Sequence, residues 1–112
     1  MIIIENLKFQ YPEELITDYP DDTILLGNII ERYDLLQENQ IVQAYQLSKD
    51  SLQIFNRFCY IKHDIKKKSS RGKDAALKDW LKEICDYLYM VSTQSRMVWK
   101  FAKENVKNNE EL

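Results

Sequence analysis

Three side chains in this chain carry the chemistry of a metal or redox site: Cys59, His63 and Cys85. On a helix Cys59 and His63 stand four residues apart and share a face, and a hairpin fold would bring Cys85 level with Cys59. A zinc site needs a fourth ligand as a rule. Asp64 points about 100° away around the same helix, and the chain has one histidine and two cysteines in all. The cysteines are therefore expected to be small core residues, which is where free thiols commonly sit, and no metal or cofactor is expected. Catalysis finds little equipment as well. No nucleophile, base and orienting partner recur in a recognisable spacing. Carboxylate pairs such as Glu31 and Asp34, or Glu83 and Asp86, have helical spacing, which suits a solvated face. Arg71-Gly72-Lys73 is isolated and follows no strand, unlike a phosphate-binding loop. The expectation is a protein that is not an enzyme.

Cations offer more. Lys66, Lys67, Lys68, Arg71 and Lys73 gather at one point of the chain, and Lys78, Lys82, Tyr89, Arg96, Lys100, Lys103 and Lys107 recur in steps of three, four or seven. That spacing draws a basic stripe along one side of a helix, a track that could neutralise phosphates and release counterions. The same lysines could instead lie under the acidic first 40 residues or simply solvate an amphipathic helix. Trp80, Tyr87, Met97, Trp99 and Phe101 form the candidate protein-interaction set. All but Trp99 belong to the flank away from the lysines, where large side chains either pack a shorter helix or meet a partner.

The charge layout adds to this. Residues 1–40 hold nine acids against Lys8 and Arg32, residues 41–73 hold eight bases against Asp50 and Asp64, and the total is only −2. A dipole of this kind can join two parts of one fold, two molecules, or a protein and a polyanion. The acidic pI of about 5.4 is unusual for a dedicated nucleic-acid binder.

The elements that must hold these side chains are helices. With 112 residues and 45% hydrophobic content the chain suits one domain, 1–112, and two glycines and two prolines are too few for a turn-rich β-fold. The apolar run Tyr87–Val91 is far shorter than the roughly 20 residues a membrane span requires, and no basic and apolar leader is evident, so no membrane association and a cytoplasmic location are expected. Residues 1–22 are expected as an extended arm with a short helical turn after Tyr11-Pro12, ended by Tyr19-Pro20. Asp21-Asp22-Thr23 then offers caps for a helix over about 23–36, with Gly27 marking a close approach by another element.

From Ile41 the positions 41, 45, 48, 52, 55, 59 and 62 repeat in steps of four and three, a heptad seam. A second row, Ile54, Phe58, Ile61 and Ile65, widens the face. After the small and polar stretch Ser69–Asp74, positions 77, 81, 84, 88, 91, 95, 98 and 102 repeat in the same way. The fold class is thus all-α: a long antiparallel helical hairpin, about 41–68 and 73–106, packed by the helix at about 23–36, with 107–112 as a frayed tail. Reversal near Gly72 should pair residues whose numbers sum to about 143, with Ser48 near Ser95. The functional expectation is a small non-catalytic interaction protein, an adaptor, inhibitor or assembly subunit, that binds a protein partner or itself as a homodimer or larger oligomer. The alternative is a nucleic-acid-binding accessory protein using the basic tip and stripe.

Overall fold

A computed structural model describes residues 11–68 and 74–110, without the side chains of Glu14, 66–68, 74–76 and 106–110. The chain is all-helical: α1 (Glu13–Asp18), α2 (Pro20–Leu35), α3 (Ile41–Lys68) and α4 (Asp74–Glu110). Its dimensions are 63 × 27 × 18 Å. The expected arm at residues 1–10 and the turn at 69–73 lie outside the described residues.

Two proline signals set the beginning. Pro12 precedes α1, and its carbonyl accepts the Leu15 and Ile16 amides. Pro20 does more than close α1, because it occupies the first position of α2, where a missing N–H costs nothing. The second helix therefore begins three residues ahead of the expected start, with Asp21 and Asp22 in its positive first turn. Thr23, fully buried, donates its hydroxyl to the Tyr19 carbonyl at 2.8 Å at the start of α2 and reaches the Leu15 carbonyl of α1 at 3.5 Å, tying the two helices together. Gly27 departs from expectation. A Cβ built there would meet nothing within 4 Å, so no element approaches it closely.

Helices α3 and α4 run antiparallel, and three layers fix their register. The Phe55 and Tyr89 rings meet at 5.8 Å, Tyr45 and Trp99 at 5.1 Å, and the thiols of Cys59 and Cys85 at 3.9 Å. Each pair lies within one residue of the expected alignment. The serine layer differs, since Ser48 meets Ser92 and not Ser95. Ser48 donates to the Ser92 carbonyl and Ser92 donates to the Ser48 carbonyl, both at 3.1 Å, which requires the two backbones to come close. Ser95 is instead buried, its hydroxyl without a partner among the described residues.

The reason is a rotation of α3. Its core row is Ala44, Leu47, Ser51, Ile54, Phe58 and Ile61, all buried, while Tyr45 and Leu52 of the expected seam are 42% and 46% exposed. The packed stripe thus lies about 100° around from the heptad row, one residue's turn. A third helix causes this: α2 lies against α3, so the apolar row between α2 and α4 is enclosed and the outer row becomes a rim. On α4 the expected seam holds, with Leu77, Leu81, Ile84, Leu88, Val91, Ser95 and Ala102 buried. Leu26, Ile29 and Ile30 of α2 and Leu15 of α1 complete the core. Each fully buried large aliphatic or aromatic side chain contributes about 1.5–3 kcal/mol.

Two ion pairs seat α2 on α3. Arg57 holds Asp22 in a bidentate grip at 2.9 and 3.0 Å, and Arg32 meets Asp50 at 2.9 Å. The tail also differs from expectation, because α4 is helical through Glu110. Among the described residues no helix is long and apolar enough to cross a membrane.

Candidate interaction surface

The three-helix arrangement encloses one side of the hairpin and leaves the other open. With α2 laid along α3, the side of α3 and α4 away from it keeps the rim residues in solvent. Tyr45, Leu52 and Tyr89 are 42%, 46% and 59% exposed, and Phe55 and Trp99 are half-buried between them. The contacts of Tyr45 with Trp99 and of Phe55 with Tyr89 join these rings into two aromatic pairs along the seam between the helices.

The basic stripe borders the same open side. Tyr89 and Trp99 lie on it, and helical spacing places Lys78, Lys82, Arg96, Lys100 and Lys103 alongside them. Lys103 stands over the Trp99 ring at 5.2 Å and Lys49 over the Tyr45 ring at 5.2 Å. Cations held over ring faces this way gain roughly 0.5–1 kcal/mol at exposed sites and keep their charge turned outward. Lys82, Arg96, Lys100 and Lys103 are exposed, and Lys78 is half-buried. Asp86 stands at the outer edge. Among the described residues the acidic segment does not cover the stripe, because Asp22 and its helix lie on the far side of α3, held by Arg57.

The other sequence candidates fall into three places. Trp80 is half-buried and packs on Tyr11 at 5.7 Å between ring centres, and Tyr87 is 8% exposed with its ring edge-on to Tyr33 at 6.3 Å. Both pack against the amino-terminal segment, Tyr87 buried and Trp80 half-buried. Met97 and Phe101 continue the row of Tyr87 and Met90 along α4 but are 58% and 62% exposed. The Tyr33 hydroxyl reaches the Met90 sulfur at 3.5 Å, and α2 ends two residues later at Leu35. Lys66, Lys67 and Lys68 form the last turn of α3 with side chains outside the description, and Arg71 and Lys73 lie outside the described residues altogether.

A smaller open area lies at the elbow between α2 and α3. Leu35, Leu36, Val42, Gln43, Gln46 and Leu47 are among the residues lining a groove of about 420 Å³ there. Leu35 and Val42 are 68% and 74% exposed.

Cys85 lies level with Cys59, as the hairpin register implies, but the expectation of two core cysteines holds for Cys85 alone. Cys59 is exposed and Cys85 buried. Burial pushes the Cys85 thiol up, and the neighbouring Cys59 adds to this, with Lys62 pulling the other way. His63 is exposed, and no group of three or more His, Cys, Asp or Glu side chains stands together among the described residues.

Taking the row through Tyr45, Leu52 and Phe55 as the seam of α3 missed the open side chains of that row. A signal was available: that row contains Ser48, Cys59 and Lys62, whereas the row one position earlier reads Ala44, Leu47, Ser51, Ile54, Phe58, Ile61. Lysine in a seam marks a rim, since its ammonium must reach water. Compared with protein-family models, curated proteins and solved structures, the chain finds no match.

Proposed function

We propose that this chain is a small non-catalytic interaction protein whose working surface is the open side of the α3–α4 hairpin. The observation that carries the reading is the exposed apolar strip of Tyr45, Leu52, Phe55, Tyr89 and Trp99 along the α3–α4 seam, with Lys49, Lys82, Arg96 and Lys103 around it. An apolar strip along the seam of two helices suits a third helix laid on it. The basic rim selects an occupant that is acidic as well as amphipathic. Face-to-face pairing of two copies through this strip would set lysine against lysine, so an oligomer would have to use another surface, such as the apolar elbow at Leu35 and Val42. Tyrosine, tryptophan and arginine side chains at the centre of a patch are the residues that most often dominate binding energy.

The test is co-purification from native cells with tagged wild-type protein and three substituted forms. Loss of the same acidic protein on Tyr89→Ala and on Lys82→Glu/Arg96→Glu, with retention on Met97→Ala, supports the reading. Retention across all forms removes it. Sedimentation velocity of the purified chain settles self-association separately: a species above 13.4 kDa that reverts to monomer on Val42→Glu supports an oligomer built at the elbow.

A second reading has its own support in the stacking platform. Rings interleaved with cations bind single-stranded nucleic acid without sequence preference, each stacked base contributing roughly 1–3 kcal/mol. The acidic pI weighs against it. A fluorescent single-stranded oligonucleotide should then bind with affinity that falls steeply as salt rises, and Lys82→Glu/Arg96→Glu should flatten that slope. Absence of binding at low salt eliminates this reading.

A further inference from the structure

The pairing of an exposed thiol with a buried one across two helices has no role in the docking surface, and it defines a site of its own. We infer that Cys59 and Cys85 form a redox site that closes to a disulfide and staples α3 to α4. Their sulfurs are already in contact at 3.9 Å, and each belongs to a packed helix whose register is fixed one turn away by the Phe55–Tyr89 rings and further along by the Ser48–Ser92 layer. A bond needs the sulfurs to approach to about 2.05 Å, a closure of roughly 1 Å by each side chain. No third sulfur competes, because the chain has two cysteines.

The asymmetry of the pair sets the order of events. Cys59, exposed, is the sulfur that an outside oxidant reaches. With a small-molecule disulfide as oxidant, the Cys59 thiolate attacks one of its sulfurs, forming a mixed disulfide and releasing one thiolate. Cys85 then loses its proton and attacks the Cys59 sulfur, forming the internal bond and expelling the second thiolate, which takes up a proton. One molecule of disulfide becomes two of thiol, and the protein loses two hydrogens. Burial keeps the Cys85 thiol protonated, so the second step is the slow one and quickens as pH rises. The bond closes the loop of residues 60–84 in the unfolded chain and so removes entropy from that state.

The experiment equilibrates the full chain in glutathione buffers from reducing to oxidising poise and quenches with acid. The expected result is loss of both free thiols together, a mass two hydrogens lower, monomeric mobility without reductant, and a melting temperature higher by about 10 °C. Cys59→Ser and Cys85→Ser should each keep the reduced melting behaviour under every buffer, and the Cys85→Ser form should retain one glutathione at Cys59. Wild-type protein that stops at one bound glutathione, links only between molecules, or gains no heat stability on oxidation would overturn the inference. Circular dichroism of both serine variants distinguishes a failed fold from a failed closure.

Discussion

The bidentate pair between Asp22 and Arg57 should behave as the clamp that keeps α2 on one side of the hairpin and so leaves the other side open. The Asp22 side chain is 10% exposed and accepts both bonds from an Arg57 side chain that is 52% exposed. Arg57→Met keeps most of the stem and removes both donors, stranding a nearly buried carboxylate with only the first turn of α2 to stabilise it. Charge-assisted bonds of this kind contribute about 1.5–3 kcal/mol, and solvent around the guanidinium moves the expectation toward the lower end, about 2 kcal/mol. Asp22→Asn should cost about 1 kcal/mol, since the amide can keep one bond but loses the charge. The double variant should cost less than the two together, with a coupling of about 1 kcal/mol. Urea unfolding followed by far-ultraviolet circular dichroism measures all four corners of the cycle, and each kcal/mol corresponds to a drop of about 4 °C in Tm for a chain of this size. Coupling below about 0.3 kcal/mol would refute the reasoning, and the seating of α2 would then rest on Leu26, Ile29 and Ile30 and on the Arg32–Asp50 pair.

Other perturbations test separate parts of the structure. Gly27→Ala should stabilise the chain by about 0.5–1 kcal/mol, because a Cβ there meets open space within a regular helix, and urea unfolding should show the higher midpoint. Ser48→Leu should cost about 1–3 kcal/mol by forcing apart the backbones that the reciprocal serine bonds hold together, a loss visible in the same assay. Stability should also fall at high pH. Burial raises Tyr11 to about 12, and a hydrogen bond donated to Asp64 together with burial raises Tyr19 to about 12, from an ordinary 10.0. Both favour the neutral phenol in the folded state, so their contribution is full below pH 10 and is lost as pH rises from about 10 to about 12. The urea midpoint should decline across that window, and Tyr19→Phe should make the decline shallower.

Much of the architecture was legible in the residues. Scarce glycine and proline, two heptad-spaced rows and one polar interruption were enough for the hairpin and for its alignment to within one residue. The rotation of α3 was not, because two adjacent rows, one through Leu52 and Phe55 and one through Ile54 and Phe58, are both apolar enough to be a seam. Only the position of α2 decides between them, and that position depends on contacts such as Asp22 with Arg57 that lie 35 residues apart. The surface inherited the same ambiguity. The lysine stripe on α4 follows from periodicity alone, while the rings beside it became visible as a surface only once α3 was turned. Tyr87 and Trp80 show the reverse, since their size suited either a partner or the core, and the core took them through Tyr33 and Tyr11.

The most direct measurement places a photo-reactive phenylalanine at Tyr89, at Tyr45 and, about 80° further around α4, at Met97, then irradiates the chain in its native cells and maps the adducts. Labels at Tyr89 and Tyr45 should couple to one acidic helical segment of a protein, and the label at Met97 should leave that segment untouched. Adducts on that protein from Met97 alone, or from none of the three, would contradict a docking surface on the open side of the hairpin.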